Sequence, residues 1–347
     1  MPTTILDQFD GLATPPGTPP KKPRHPYHVG ASFTIRDHTP PTPLKDMDQQ
    51  KEIQFITSQP CLKQLDWVLQ HPLPDTETPA RHEQACNIAG VIRTGENCGA
   101  QIVVTDSGLV AKIFDPLYYD FYDSDSACQK IDICAQAKDE YMSEVAAYRE
   151  FEGSTNQGTV MPMYFGSWIF TVVHQACDTR VSRNVCMVLI ERIQGISMLH
   201  IDPGYLNTEE KENIMYKLIE AEATLRTAGI SHHDLAPRNV ILSECSSLAD
   251  PGLRLTIIDC ASSTISRFHW GQRTGKSYHN PFWQWRGASQ WSAWGWLPSS
   301  ERDREEWLFA KWGNGCEEKY ARLERDFEGN IDYAMEDSDS DSDHFSA

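Results

Sequence analysis

From Ile88 to Phe114 the chain alternates short runs of branched aliphatic residues with glycine-containing breaks. The runs I-A-G-V-I-R-T, A-Q-I-V-V-T and L-V-A-K-I-F are separated by G-E-N-C-G and D-S-G. Breaks this short between β-branched runs predict a three-stranded antiparallel meander. Helical spacing follows from about Ala137 to Phe151, where Met142, Val145, Ala146 and Tyr148 fall on one side and Gly153 ends the pattern. Val160 to Tyr164, Trp168 to His174 and Val185 to Arg192 return to strand character. The clearest helix starts at Thr208 as its cap, with Glu209 and Glu210 at its positive end. Its apolar stripe is Ile214, Leu218, Ala221 and Leu225, and Gly229 stops it. Two further β-rich runs, V-I-L (240–242) and L-R-L-T-I-I-D (253–259), flank a polar turn and predict a hairpin.

Outside this region the pattern weakens. Residues 1–50 carry Thr14-Pro15, Thr18-Pro19, Thr39-Pro40 and Thr42-Pro43, and are expected to be an unstructured proline-rich tail. The Thr-Pro pairs suit proline-directed kinases, and Lys21-Lys22-Pro23-Arg24 suits a nuclear address. Residues 51–85 read as an extension, 86–192 as a small sheet with one helix, and 193–328 as a mainly helical region. Residues 329–347 read as an acidic disordered tail, in which Ser338, Ser340 and Ser342 alternate with aspartates. Eight of the ten tryptophans lie between Trp270 and Trp312, a density that predicts a packed aromatic cap, with a partner-binding surface as the alternative.

Composition narrows the class. The chain has 347 residues, 40% of them hydrophobic, enough for a sizeable core. A net charge of -18 argues against broad binding to nucleic-acid backbones. No apolar run approaches the roughly 18 residues of a membrane span, and the start, M-P-T-T-I-L-D-Q-F-D, does not read as a secretory signal. Ten cysteines without a C-x-x-C pair suggest neither zinc nor a disulfide framework, so reduced thiols in a cytoplasmic or nuclear protein are expected. No nucleic-acid or membrane partner is expected.

The candidate chemistry lies in a few polar positions. Phosphoryl transfer from a nucleotide needs a cation on the phosphates and a carboxylate to hold that cation. It also needs oxygen ligands for magnesium, a carboxylate base, and a backbone loop over the phosphates. Lys112 sits at the end of a strand, where alternation turns it to the face opposite Ala111 and Ile113. Glu144 lies on the following helix, with Glu140 one turn earlier on the same face. Asp234 and Asn239 are five apart in H-H-D-L-A-P-R-N, and Asp259 ends the second hairpin strand. His232 and His233 read as packing or hydrogen-bonding groups rather than metal ligands.

These motifs resemble the eukaryotic protein kinase family over about Ile88 to Ala261. V-A-K resembles V-A-I-K, H-H-D-L-A-P-R-N resembles H-R-D-L-x-x-x-N, and I-I-D-C-A stands where D-F-G would be. The resemblance implies an α+β, bilobal protein kinase-like fold. Its N-lobe is a small antiparallel sheet with one helix, and its C-lobe is reduced and mainly helical. By the same resemblance Lys112 holds nucleotide phosphates and pairs with Glu144, beneath a loop containing Gly95 and Gly99. Met187 to Gly195 resembles the strand and hinge between lobes, with backbone around Glu191 to Ile193 meeting the adenine. Asp234 is the implied base, with Arg238 beside it as a further catalytic candidate. Asn239 and Asp259 are the implied magnesium ligands. ATP and Mg2+ are the implied cofactors, and a protein Ser/Thr hydroxyl the implied acceptor.

Several departures stand out. G-E-N-C-G-A (95–100) has two glycines four apart rather than G-x-G-x-x-G, and Glu96 would repel phosphates. His233 replaces the arginine that usually meets a phosphorylated activation loop, and Cys260-Ala261 replaces Phe-Gly. Ala236 and Arg238 give the loop the form seen in tyrosine kinases. There is no A-P-E, and the shortened lower lobe is similar to atypical kinase-like proteins of fungi. The loop is also similar to H-x-D-x-x-x-x-N of aminoglycoside and choline kinases. Active protein kinase, small-molecule kinase, pseudokinase scaffold, and interaction protein working through its tails and tryptophans therefore stay open.

Overall fold

The computed structural model describes residues 23–43, 55–56, 62–73, 82–123, 129–176, 179–243, 245, 247–269, 280–316 and 320–333. From the amino end, β1 (Ser32–Asp37), β2 (Phe55–Ile56) and helix α1 (Gln64–Gln70) precede β3 (Glu83–Arg93), β4 (Gln101–Thr105) and β5 (Val110–Phe114). A short β6 (Lys130–Ile131) leads into helix α2 (Ile133–Glu150). A long hairpin of β7 (Tyr164–Ala176) and β8 (Thr179–Ile190) completes this half. There follow β9 (Gly195–Ser197), α3 (Thr208–Thr227), β10 (Ile230–Ser231), β11 (Val240–Ser243), β12 (Leu255–Ile257) and β13 (Thr264–Ile265). Helices α4 (Ser266–His269), α5 (Pro281–Trp285), α6 (Ser289–Ala293) and α7 (Glu301–Trp312) then lead to the hairpin of β14 (Leu323–Arg325) and β15 (Ile331–Tyr333).

The expected three-stranded meander is part of a larger object. Strands β1, β3, β4, β5, β8 and β7 close in that order into a barrel, every pair antiparallel. One residue set from all six strands fills its interior: Ile35, Ile88, Val103, Ala111 with Ile113, Phe170, and Met187. The alternate residues of β5, Val110 and Phe114, belong instead to the core shared with α2. Strand alternation thus divides β5 between two cores, and Lys112 falls on the side of α2.

Strand β1 overturns the expectation that residues 1–50 are wholly unstructured. S-F-T-I-R-D pairs with β3 on one side and β7 on the other, covering two edges that would otherwise be open. Tyr27, fully buried, donates its hydroxyl to Asp115 Oδ2 at 2.6 Å, and Arg183 reaches the same carboxylate at 3.0 and 2.6 Å. His38 Nδ1 meets the Tyr141 hydroxyl of α2 at 2.7 Å, so the segment is anchored at both ends. Ile35 is 1% exposed inside the barrel. Ile35→Ala is expected to cost about 2–5 kcal/mol, read as a lower urea midpoint; an unstructured segment would show no change. Thr14-Pro15, Thr18-Pro19 and Lys21-Lys22 lie outside the described residues, as do Trp270 and the serines of the acidic tail.

Other boundaries move by physical cause. Helix α2 begins at Ile133, earlier than its apolar pattern suggests, because Asp132 caps it by accepting from Cys134 and Ala135 N–H, both at 3.1 Å. Helix α3 is capped by Asn207 rather than Thr208, with Glu210 returning the bond in a capping box. Gly229 takes φ +83 to end it. Of the strand expected over Val160 to Tyr164 only Tyr164 is strand; β7 starts there and takes in the run expected from Trp168 to His174, with its irregularity between Tyr164 and Ser167. Ile331–Tyr333 is a strand paired with β14, so the expectation of disorder from 329 fails at least through residue 333.

The second half is tied to the first by one continuous core, running from Phe114 and Val145 through Leu218 and Ile257 to Trp312. Strands β12, β11 and β9 form a three-stranded sheet. Gly195 permits the approach of β9, since a Cβ there would lie 2.1 Å from the Leu242 carbonyl oxygen. Trp285, Trp291, Trp296 and Trp312 are buried, which makes the aromatic region a packed cap. Glu220 of α3 pins it, accepting from Trp312 Nε1 at 2.7 Å and the Tyr320 hydroxyl at 2.8 Å. Among the described residues no helix is long and apolar enough to cross a membrane.

Candidate active site

Lys112, in the middle of β5, projects onto the face covered by α2. There its Nζ donates to Glu144 Oε2 at 2.8 Å and to Asp259 Oδ1 at 2.6 Å. Glu144 is completely buried, whereas the Asp259 side chain is 32% exposed. Glu140, the competing carboxylate one turn earlier, accepts instead from the Tyr119 hydroxyl at 2.8 Å. The register of β5 and the pitch of α2 therefore select Glu144.

Asp259 follows β12 with φ 66 and ψ 65, a left-handed conformation uncommon outside glycine. β12 itself stops at Ile257, two residues short of the expected end at Asp259, and Asp259 leads into a 3-10 turn, Cys260–Ser262, packed against α2. Such local strain concentrates at functional sites.

The H-H-D-L-A-P-R-N stretch spans the turn between β10 and β11. Asn239, 4% exposed, donates Nδ2 to the Asp234 backbone oxygen at 2.8 Å and to Asp234 Oδ2 at 3.0 Å. Arg238 grips the other carboxylate oxygen of Asp234. Ile258, the residue before Asp259, donates its N–H to the Asn239 backbone oxygen at 2.9 Å, and its own carbonyl meets His232 Nε2 at 3.1 Å. The loop and Asp259 are thereby held one residue apart in a single hydrogen-bonded unit. His232 Nδ1 accepts the Asp234 N–H at 3.3 Å, and His233 Nε2 meets Thr264 Oγ1 at 2.8 Å. Both histidines are scaffold.

Charge follows from this geometry. Burial opposes the Lys112 ammonium, but Glu144 and Asp259 outweigh it and raise Lys112 above the ordinary lysine range. Burial raises the Glu144 carboxyl, and Lys112 offsets this only in part. Burial also lowers His232, keeping a neutral ring whose Nε2–H donates to Ile258. Lys112 draws the Asp259 carboxyl down from 3.8 to about 2. A depressed carboxyl stabilises the fold above its unfolded value, and the contribution is lost as pH falls through the folded value. Asp259→Asn is therefore expected to show a constant deficit in Tm from neutral pH to about 4, shrinking toward about 2. Thermal unfolding across that range checks it, and a deficit unchanged at pH 2 would contradict it.

Gly95 and Gly99 take φ +151 and +67, with Asn97 at +59, so the loop between β3 and β4 is a tight turn. The buried Gln101 side chain knits it together. Its Oε1 accepts the Gly95 N–H at 2.7 Å, and its Nε2 donates to the Gly95 and Gly99 carbonyls at 3.1 and 2.9 Å. Gly95 thus spends its N–H within the loop, and Glu96 is exposed beside it.

At the expected hinge the Glu191 N–H is used within the protein. It donates to the Met163 carbonyl at 2.8 Å, so that atom does not wait for an adenine. The Glu191 carboxylate takes Arg254 in a fork at 2.9 and 3.0 Å and also accepts the Met163 N–H at 3.0 Å. The Arg254 hydrogen bond lowers the Glu191 carboxyl. Ile193, two residues on, is half-buried in the segment before β9.

Sequence reasoning did not find Arg254 or Gln101. Arg254 is one polar position in the alternating L-R-L-T, a signal shared with any solvated strand residue. Gln101 opens a strand whose neighbours are apolar, and nothing in its spacing marks it. Among the described residues no group of three or more His, Cys, Asp or Glu converges to hold a metal ion. Comparison with protein-family models and with curated proteins finds no match to this chain.

Proposed function

We propose that the protein is an ATP- and magnesium-dependent phosphotransferase of kinase-like architecture that passes the γ-phosphate to a hydroxyl, with a protein serine or threonine as acceptor. The observation that carries this is the single ammonium of Lys112 held between Glu144 and Asp259, with the Asp234–Asn239 loop bonded to the residue beside Asp259. On this view the barrel and α2 form the upper lobe, and α3 with the packed tryptophan region forms a reduced lower lobe.

The donors suit magnesium bound together with a nucleotide. Asp259 remains a carboxylate at any working pH. Asn239 commits its Nδ2 to Asp234, which leaves its Oδ1 as an acceptor. Two such hard oxygens are what magnesium takes from protein when phosphates and water complete its shell. When bound there it would neutralise phosphate charge.

Each remaining role falls to a named side chain. Lys112 keeps Glu144 and exchanges Asp259 for phosphate oxygens, which fixes the phosphates against β5. Asp234 accepts the proton of the acceptor hydroxyl as its oxygen bonds to the γ-phosphorus and the bond from that phosphorus to the β–γ bridging oxygen breaks. The products are phosphorylated acceptor and ADP. Asn239 and Arg238 orient the Asp234 carboxylate, and Arg238 adds a cation beside the acceptor. The adenine is assigned to the backbone beyond Glu191, at Ile193. The Gly95 and Gly99 turn covers the phosphates.

A second reading, a scaffold that binds nucleotide weakly or not at all, is favoured by the Gly95 N–H being spent on Gln101 and by Glu96 beside it. Thermal unfolding with and without ATP and magnesium separates the two, because a ligand that binds only the folded state raises Tm. A rise in the wild type and none in Lys112→Ala supports the phosphotransferase; a wild type blind to nucleotide supports the scaffold.

A further inference from the structure

Among the described residues two buried polar atoms on α2, Glu144 Oε1 and the Tyr148 hydroxyl, lack a hydrogen bond of good geometry, yet they interact: after burial, the Glu144 charge and a side-chain hydrogen bond to Glu144 act on the Tyr148 hydroxyl and raise it. Glu144 is 0% exposed and Tyr148 1%. Only one Glu144 oxygen is held by Lys112. A buried carboxylate oxygen left unpaired forfeits its hydration without return, and so does a buried hydroxyl. The two residues are four apart on α2, so they share a helix face one turn apart.

The surroundings leave Tyr148 as the natural donor. Besides Lys112, the ionisable groups that act on or feel Glu144 include the carboxylates of Asp259 and Glu140, the buried Cys260 thiol and the Tyr148 hydroxyl, and of the last two it is Tyr148 that shares a side-chain hydrogen bond with Glu144. The Tyr148 ring stacks on Tyr164 with centroids 5.5 Å apart and planes within 5°, which sets the direction of its hydroxyl.

We infer that Tyr148 is a positioning residue for Glu144, its O–H donating to Oε1 while Lys112 occupies Oε2. With both oxygens held, the carboxylate keeps its orientation when Lys112 releases Asp259, the exchange that phosphoryl transfer requires. The catalytic consequence rests on the phosphotransferase reading; the contact itself does not.

The test has one arm without nucleotide. Urea midpoints are measured for Tyr148→Phe in the wild type and in a Lys112→Met/Glu144→Leu background, where an apolar pair replaces the buried ions. Tyr148→Phe, which keeps the ring and its stacking, is expected to lower the midpoint in the wild type and leave the apolar background unchanged. Equal losses in both, or no loss in the wild type, overturn the inference. Glu144→Gln is run in parallel, so that a background that fails to fold does not remove the comparison with wild type. The second arm measures ADP formation, in which Tyr148→Phe is expected to raise KM for magnesium-ATP about tenfold, the effect of one lost hydrogen bond. An unchanged KM overturns the positioning role. If the wild type forms no ADP, the phosphotransferase reading fails, while the urea comparison still decides the contact.

Discussion

Asp234→Ala is expected to lower phosphate transfer by about 10²–10⁴-fold, the usual worth of a positioned general base, while leaving the fold and nucleotide binding in place. The Asp234 side chain is 39% exposed, and the bond from Asn239 to the residue 234 backbone oxygen survives the substitution. Lys112 and Asp259, which would hold the nucleotide, do not touch Asp234. What disappears is the proton acceptor. Asp234→Asn sharpens the experiment, because it can still accept from Asn239 and Arg238 but is a far weaker base. Both variants should therefore keep the Tm rise with magnesium-ATP and lose turnover. A variant that lost binding along with turnover would move Asp234 from the chemistry to the nucleotide site.

Lys112→Ala is expected to act on stability and binding together. It strands the fully buried Glu144 carboxylate, and breaking one side of a buried ion pair typically costs about 3–5 kcal/mol. It also removes the cation proposed for the phosphates, so the Tm rise with magnesium-ATP should vanish. Pairing Lys112→Met with Glu144→Leu should restore most of the stability and none of the nucleotide response. Denaturant unfolding read beside nucleotide-dependent Tm separates the two losses. If the double variant regained the nucleotide response, Lys112 would be structural.

The legible parts of the site were those encoded in short stretches. The Asp234 to Asn239 spacing sits in one turn, and Asp259 follows two residues after a strand recognisable from L-T-I-I. Lys112 was visible from alternation against Ala111 and Ile113, and both of those do enter the barrel interior. Glu144 and Glu140 could not be separated by spacing, since residues four apart share a helix face; the partner on β5 decides between them. What was not legible depends on distant pairing. S-F-T-I-R-D is six residues among prolines, and its strand exists because β3 and β7, some 50 and 130 residues on in sequence, supply edges for it. The forks from Arg254 to Glu191 and from Arg183 to Asp115 join residues 63 and 68 apart. No local pattern carries such pairs.

Cys260 is fully buried in a turn packed on α2, the helix that carries the buried Tyr148 ring.

The central claim is tested most directly by following ADP formation and γ-phosphate transfer from magnesium-ATP with the purified protein, beside Asp234→Ala and a chelated sample. The proposed chemistry predicts turnover in the wild type, abolished by chelation and reduced at least about a hundredfold by Asp234→Ala. A wild type without turnover, or turnover that Asp234→Ala leaves unchanged, would contradict it.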